Sequence, residues 1–247
     1  MMNRTFIVCL TINKLYYLTY YLTDVYWVTW LCIVRPDLST RGYTYVQSTQ
    51  KIKLCVFGVD GYLIQIHTSS YKQLQIFGLI MYVIGTGLNY HLILGYTSTA
   101  VLFFVKLLMS ASRDISVVKS QITTQRSVKH KDLALSIVLL SLFTHVGGTL
   151  GSAISATVWN DQLPKKIADL CLILTTEPIS KVFGSIQVAR ATEPQESIIG
   201  AYNAAYRLHN LPAVVCIAAC FTANFVLNNR HSNVEDKIII ITPKPKF

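Results

Sequence analysis

Long uncharged runs alternate with short charged segments along the chain, and the clearest run lies between Asp132 and Asp161. Residues 133–160 include no formally charged side chain and a single histidine, His145. About 20 apolar residues are enough for a helix to cross the hydrocarbon core of a bilayer. The run therefore predicts a transmembrane helix over 133–157. A second clear run predicts another over 211–227.

The uncharged stretch between Lys72 and Lys106 is too long for one membrane-spanning helix. It divides near the polar segment 89–91, which is followed by turn-like residues. The stretch therefore predicts two helices, over 74–92 and 97–118.

The N-terminal part of the chain is apolar and rich in tyrosine, but charged residues interrupt it. It predicts two further helices, over 6–26 and 43–64. Lys51 and Lys53 lie within the second one, and a charge at a helix centre costs roughly 2.5–3.5 kcal/mol on insertion scales. Either these groups face a water-filled cavity, or this helix has degenerated.

The basic residues predict how the helices are oriented, because Lys and Arg concentrate in short cytoplasmic connections. Segment 113–131 contains a cluster of them, and the tail 231–247 contains three more lysines. We expect both segments to be cytoplasmic. The intervening segment 161–210 is then a long external or lumenal connection.

Composition agrees with this pattern. Of the 247 residues, 52% are hydrophobic and only 14% are charged, whereas soluble proteins carry roughly 25% charged residues. The net charge of +10 does not indicate a nucleic-acid-binding protein, because the basic residues punctuate apolar runs and form no separate patch or arm. The sequence thus predicts an all-α integral membrane protein of about six transmembrane helices, with membrane lipid as its solvent and no nucleic-acid partner.

Motifs for catalysis are missing from the sequence. It has no Walker A loop, no GxSxG or HExxH motif and no pair of carboxylates in a polar segment. Its six cysteines form no CxxC pair, which argues against a zinc site. We therefore expect no enzyme activity, no metal site and no cofactor.

Small residues recur along the predicted helix 133–157. Four-residue spacing places Gly147, Gly151 and Ser155 on one face, and Gly148 and Ser152 beside it. Small residues at this spacing let two helix backbones approach closely in lipid. The pattern predicts a tight helix contact, which could be static or could slide during a transport cycle.

Ionisable groups inside predicted membrane helices are candidates for function by default. Asp24, Asp60, Lys106 and His145 are the candidates for a proton or substrate path. His145 lies within one turn of the glycine face, so it should point towards the helix contact. A proton-transfer role and a hydrogen-bonded packing role both fit its chemistry.

One part of the chain carries a family resemblance, in three motifs. They are the segment 125–134 (QRSVKHKDLA), the segment 147–159 (GGTLGSAISATVW) and the segment 163–167 (LPKKI). In order and spacing they resemble fungal siderophore–iron transporters of the major facilitator superfamily. Weaker resemblance includes 39–41 (STR) and 75–78 (QIFG). The fungal glutathione–proton exchangers share these motifs.

This resemblance implies proton-coupled symport of ferric siderophores across a plasma, endosomal or vacuolar membrane, with glutathione–proton exchange as the alternative. Members of the family are about twice as long, and their substrate site lies between two helix bundles. The chain resembles only the C-terminal bundle, so we expect a truncated or partial transporter. It would act as a subunit, act as a homo-oligomer, or associate with full-length relatives without transporting.

Overall fold

The described residues of the protein form helices and the short connections between them. The computed structural model describes residues 4–36, 38, 41–45, 48, 71–93, 99–171, 179–192 and 194–226. The helices within these ranges are α1 (Arg4–Asp24), α2 (Trp27–Val34), α3 (Tyr71–Leu92), α4 (Thr99–Ser127), α5 (Leu133–Cys171), α6 (Ile179–Gly184), α7 (Ile186–Ala191) and α8 (Gln195–Val226). A single 3-10 turn, His130–Asp132, precedes α5.

Helix α1 is the centre of the bundle. It packs against α4, α5 and α8, and α3 completes the ring by contacting α4 and α8. Adjacent residues of α1, such as Ile12 and Asn13 or Leu22 and Thr23, are both buried. Since adjacent residues of a helix point about 100° apart, such pairs require neighbours on more than one side. Enclosure by other helices explains how α1 buries polar and apolar side chains together.

The outer surface of the bundle is apolar. Large hydrophobic side chains are exposed along α3, α4, α5 and α8, where a soluble protein would present charges. The most exposed of these are Phe77, Phe104, Leu135, Val138 and Val215. Polar side chains, by contrast, are buried between the helices. This is the distribution that a bilayer favours, because lipid solvates apolar surface and leaves polar groups to pair with one another.

Among the described helices, one is long and apolar enough to cross a membrane by length and composition. It covers His130–Asp169 and so includes the run that predicted a span over 133–157. The remaining five spans stay predictions. The predicted span 43–64 lies almost entirely outside the described residues, as does the whole of the tail 231–247.

Several helices extend beyond the spans that apolar residues predict. Helix α5 continues through Pro164 to Cys171, and α8 begins at Gln195, so both enter the predicted connection 161–210. The extra turns of α5 carry polar residues on one side, where Lys165 pairs with Asp161 across one turn at 2.5 Å, and bury Leu163 and Ile167 on the other. Hydropathy identifies only the apolar part of a helix, so the polar residues at these helix ends place them outside the predicted spans.

An aromatic cluster joins α2, α5 and α8 at one end of the bundle. The ring of Trp30 stacks on Tyr206 with centroids 4.9 Å apart, and Trp159 stacks on Tyr26 at 4.6 Å. The indole nitrogen of Trp30 donates a hydrogen bond of 2.8 Å to Asn203. Rigid aromatic contacts of this kind fix the relative positions of the helices around α1.

Candidate functional site

Helices α1 and α5 run parallel to each other in backbone contact, and the small residues of α5 make that contact. A Cβ atom on Gly147 would collide with the backbone of Lys14. One turn later, a Cβ atom on Gly151 would lie 2.6 Å from the carbonyl oxygen of Leu18. Only glycine fits at these two positions without separating the helices.

The other small residues lie on either side of this contact. The Tyr21 ring lies against Gly148, 2.8 Å from the position of a Cβ atom there. Ser152 donates a hydrogen bond of 2.9 Å to the Gly148 carbonyl oxygen, so its hydroxyl is satisfied within its own helix. Ser155 is fully buried. The three glycines thus lie in the surface that α5 presents to α1.

Beside this contact, α1, α4 and α5 border an open groove of about 690 Å³. Its described lining consists of aromatic, amide, hydroxyl and aliphatic side chains and one imidazole, without a charged group. The lining residues are Tyr17, Tyr21, Gln121, Thr124, Gln125, Ile137, Leu140, Ser141, Thr144, His145, Gly148, Thr149 and Ser152. Ligand sites typically measure roughly 300–1,000 Å³, so the groove has the volume of a small-molecule site.

His145 lies in the wall of this groove and is exposed. The adjacent residue Thr144 accepts a hydrogen bond of 2.5 Å from the side-chain amide of Asn13 on α1. The groove therefore lies alongside the contact between α1 and α5. His145 faces this open space beside the glycine face.

A second set of polar groups is buried between α1 and α4. Lys106 is only 4% exposed, and its ammonium group donates a hydrogen bond of 3.0 Å to the carbonyl oxygen of Thr23. The same carbonyl accepts a hydrogen bond of 2.8 Å from Tyr206. The Lys106 nitrogen also lies 5.0 Å from the ring centroid of Trp27, within range of a cation–π interaction. These contacts offset part of the cost of burying the charge.

Arg113 and Asp114 extend the same cluster and form an ion pair of 2.8 Å. The Arg113 guanidinium stacks over the Tyr20 ring at 3.9 Å. The Tyr20 hydroxyl donates a hydrogen bond of 2.9 Å to the Asp24 carboxylate. The three side chains Arg113, Tyr20 and Asp24 therefore form a continuous chain of contacts from α4 to α1. With Lys106, the cluster contains two positive and two negative groups.

The buried cluster is too small to hold an organic substrate. Asp24, Lys106 and Arg113 line a cavity of about 10 Å³, roughly the space of one water molecule. Among the described residues, no group of three or more His, Cys, Asp or Glu side chains could hold a metal ion. The groove is thus large enough for a substrate, whereas Asp24, Lys106 and Arg113 line the separate small cavity.

The structure brings two of the four predicted ionisable candidates together. Asp24 and Lys106 line the same small cavity, His145 lines the groove, and Asp60 lies outside the described residues. Sequence reasoning missed the buried pair of Arg113 and Asp114. The signal available was the serine face of α4, in which Ser112, Ser116 and Ser120 recur every four residues and are all buried.

Comparison with known proteins identifies relatives of the chain. The low affinity heme transporter str3 of Schizosaccharomyces pombe is 34% identical over 95% of this chain and 39% of its own length. The siderophore transporter fer7 of Mycosarcoma maydis is 33% identical over 78% of the chain and 29% of its own length. The siderophore iron transporter mirB of Emericella nidulans is 26% identical over 68% of the chain and 28% of its own length.

The chain spans less than two fifths of the length of each of these relatives. No family model matches it, and no solved structure does. The relatives are membrane transporters and not enzymes, which agrees with the missing catalytic motifs. The chain's relatives are therefore fungal siderophore and heme iron transporters, among them members of the major facilitator superfamily, and they match it along most of its own length.

Proposed function

We propose that this chain forms one helix bundle of a proton-coupled carrier for iron chelates. The observation that carries the proposal is the 34% identity to a heme transporter over 95% of the chain, together with the siderophore transporters among its relatives. The apolar outer surface and polar interior of the bundle support a membrane location. The bundle has six membrane spans and resides in a plasma, endosomal or vacuolar membrane.

The part of the relatives that the chain matches indicates its role in the carrier. Major facilitator carriers bind substrate near the membrane midplane, between two helix bundles. This chain supplies the bundle that resembles the C-terminal one, and it acts with a second bundle. A second copy of the chain or a longer relative provides that partner. The groove bordered by α1, α4 and α5 is its contribution to the substrate site.

The buried cluster of Asp24, Lys106, Arg113 and Asp114 serves the proton path. Ionisable groups held inside a membrane bundle mark ion and proton pathways. Asp24 is the proton acceptor in this proposal, because Tyr20 connects its carboxylate to the Arg113 guanidinium. Protonation of Asp24 would change the charge balance of the cluster between α1 and α4. Protonation of Asp24 would thereby alter the contact between these two helices.

The substrate is an iron chelate, either a ferric siderophore or heme, since both occur in the names of the relatives. Glutathione–proton exchange remains an alternative, because the fungal glutathione–proton exchangers share the motif of segment 147–159. A non-transporting role is a second alternative. In that role the chain would bind a full-length relative through its helices and change the amount of carrier in the membrane.

Uptake by complementation tests the proposal. Cells without siderophore or heme carriers would express the chain, the remaining N-terminal portion of the str3-type relative, or both together. Radioactive iron would be supplied as a ferric hydroxamate and as heme. We expect uptake when both parts are present and its loss when a protonophore is added. Inserted protein without uptake of either chelate would contradict the proposal, and altered abundance of a full-length relative would support the non-transporting role.

A further inference from the structure

One imidazole lies in a groove that otherwise contains only uncharged hydrogen-bonding, aromatic and aliphatic side chains among the described residues. The position of His145 in the wall of this groove, exposed and beside tyrosine rings, is unlike that of a histidine used for packing. The buried charges of α4 do not reach this groove, since none of them contributes to its lining. An accessible imidazole in a substrate-sized space is chemically a metal-ligating group.

The parallel packing of α1 and α5 places two tyrosines of α1 in the groove wall next to α5. Lys14 lies at the level of Gly147 and Leu18 at the level of Gly151, so one turn of α1 matches one turn of α5. Tyr21 leans towards the N-terminus of its helix and reaches Gly148. By the same register Tyr17, one turn earlier, leans towards the level of Thr144 and His145. The two tyrosines thus line the groove near the level of the imidazole.

An accessible imidazole in this groove distinguishes between the two kinds of iron chelate, ferric hydroxamates and heme. In a ferric tris-hydroxamate, six oxygen atoms already occupy the coordination sites of the iron, and no site is left for a protein ligand. In heme the porphyrin occupies four sites, and the axial positions accept histidine. Aromatic rings pack well against a porphyrin face. The described lining supplies no cation to the two propionates of heme, which would extend from the open side of the groove.

We propose that His145 is an axial ligand to the iron of heme bound in the groove, and that it determines whether heme is accepted as a substrate. The inference rests on the proposed function as an iron-chelate carrier. It adds a residue that acts on heme and leaves ferric hydroxamates unaffected.

Heme titration of the purified chain in detergent tests the coordination directly. The measurement is the Soret absorption band of ferric heme, which shifts when an imidazole binds the iron. We expect the wild-type chain to shift the band, and His145→Gln to lose the shift and at least about tenfold in affinity. His130→Gln is the matched control, because His130 is an exposed histidine on the 3-10 turn outside the groove. The same spectrum for wild type, His145→Gln and empty micelles would overturn the inference.

Uptake in the complemented cells separates this inference from the proposed function. His145→Gln should lower heme uptake at least about tenfold and leave uptake of the ferric hydroxamate within about twofold of wild type. Equal loss of both chelates would overturn a heme-specific role. If the wild-type carrier takes up neither chelate, the proposed function fails, and the Soret titration still decides the inference for the chain itself.

Discussion

The close contact between α1 and α5 predicts that alanine substitution has opposite effects on the free energy of unfolding at two glycines. Gly151→Ala would place a methyl carbon 2.6 Å from the Leu18 carbonyl oxygen and 3.1 Å from the Leu18 Cα atom, where ordinary contacts begin at 3.4 Å. Both neighbours are backbone atoms and cannot rotate away. Gly87→Ala, in the exposed face of α3, would place its methyl carbon with nothing within 4 Å. The added methyl group therefore collides with backbone atoms at Gly151 and has free space at Gly87.

The expected magnitudes follow from two opposing effects. Replacing glycine by alanine within a helix stabilises it by about 0.5–1 kcal/mol. Overpacking a close contact costs typically about 1–3 kcal/mol. Gly151→Ala should therefore lower the free energy of unfolding by about 1–2 kcal/mol, because the cost of separating the helices exceeds the gain. Gly87→Ala should raise it by up to about 1 kcal/mol.

The assay is unfolding of the purified protein in mixed micelles by increasing fractions of sodium dodecyl sulfate. All three tryptophans of the chain are buried, so their fluorescence reports loss of the packed bundle. Wild type, Gly151→Ala and Gly87→Ala are compared at the same protein-to-detergent ratio. Equal shifts of the two variants in the same direction would refute the close approach of α1 and α5.

Two further predictions concern the interior and the outer surface of the bundle. Arg113→Met should lower the free energy of unfolding by about 3–5 kcal/mol, because it leaves the buried Asp114 carboxylate without its ion-pair partner. Adding Asp114→Leu should recover most of that loss in the same detergent assay, and a double variant no more stable than the single one would contradict the pairing. A spin label at Val138, which is 62% exposed on α5, should in liposomes collide more with oxygen than with a water-soluble nickel chelate. A label at the fully buried Ser155 on the same helix should show little collision with either reagent, and equal nickel collision at both positions would argue against a lipid-facing surface.

The apolar run of α5 was the most predictable part of the fold, because its length and lack of charge leave few other arrangements. The ends of the helices were less predictable. Polar turns such as those around Pro164 are stabilised by local pairs like Asp161 with Lys165, and hydropathy does not register them. The position of α1 at the centre of the bundle could not be inferred either, since its mixture of tyrosine, threonine and leucine also suits an interfacial helix.

The candidate site was predictable where a charge interrupts an apolar run. Asp24 and Lys106 stand out in the sequence for that reason, and the structure places both at one cavity. Arg113 and Asp114 have the same chemistry but lie near the basic segment 113–131, where charges are expected to be solvated. Their burial depends on the stacking of Arg113 over Tyr20, a contact between residues far apart in sequence. Tertiary contacts of this kind leave no local pattern.

His145 illustrates the same limit for the groove. Its distance from the glycines along α5 predicts that it lies near the helix contact. Whether it packs in that contact or faces open space depends on how α4 is placed beside α1. The structure gives the second arrangement, which is the basis for assigning a substrate site there.

Transport in a defined membrane tests most directly whether this chain contributes one helix bundle of an iron-chelate carrier. The chain and the complementary N-terminal portion of the str3-type relative would be purified and reconstituted together into liposomes, with each part alone as the control. The measurement is the accumulation of radioactive iron, supplied as a ferric hydroxamate or as heme, under an imposed proton gradient. The account predicts accumulation only when both parts share a membrane, and its collapse when the gradient is dissipated. Correctly inserted and associated parts that accumulate neither chelate would contradict it.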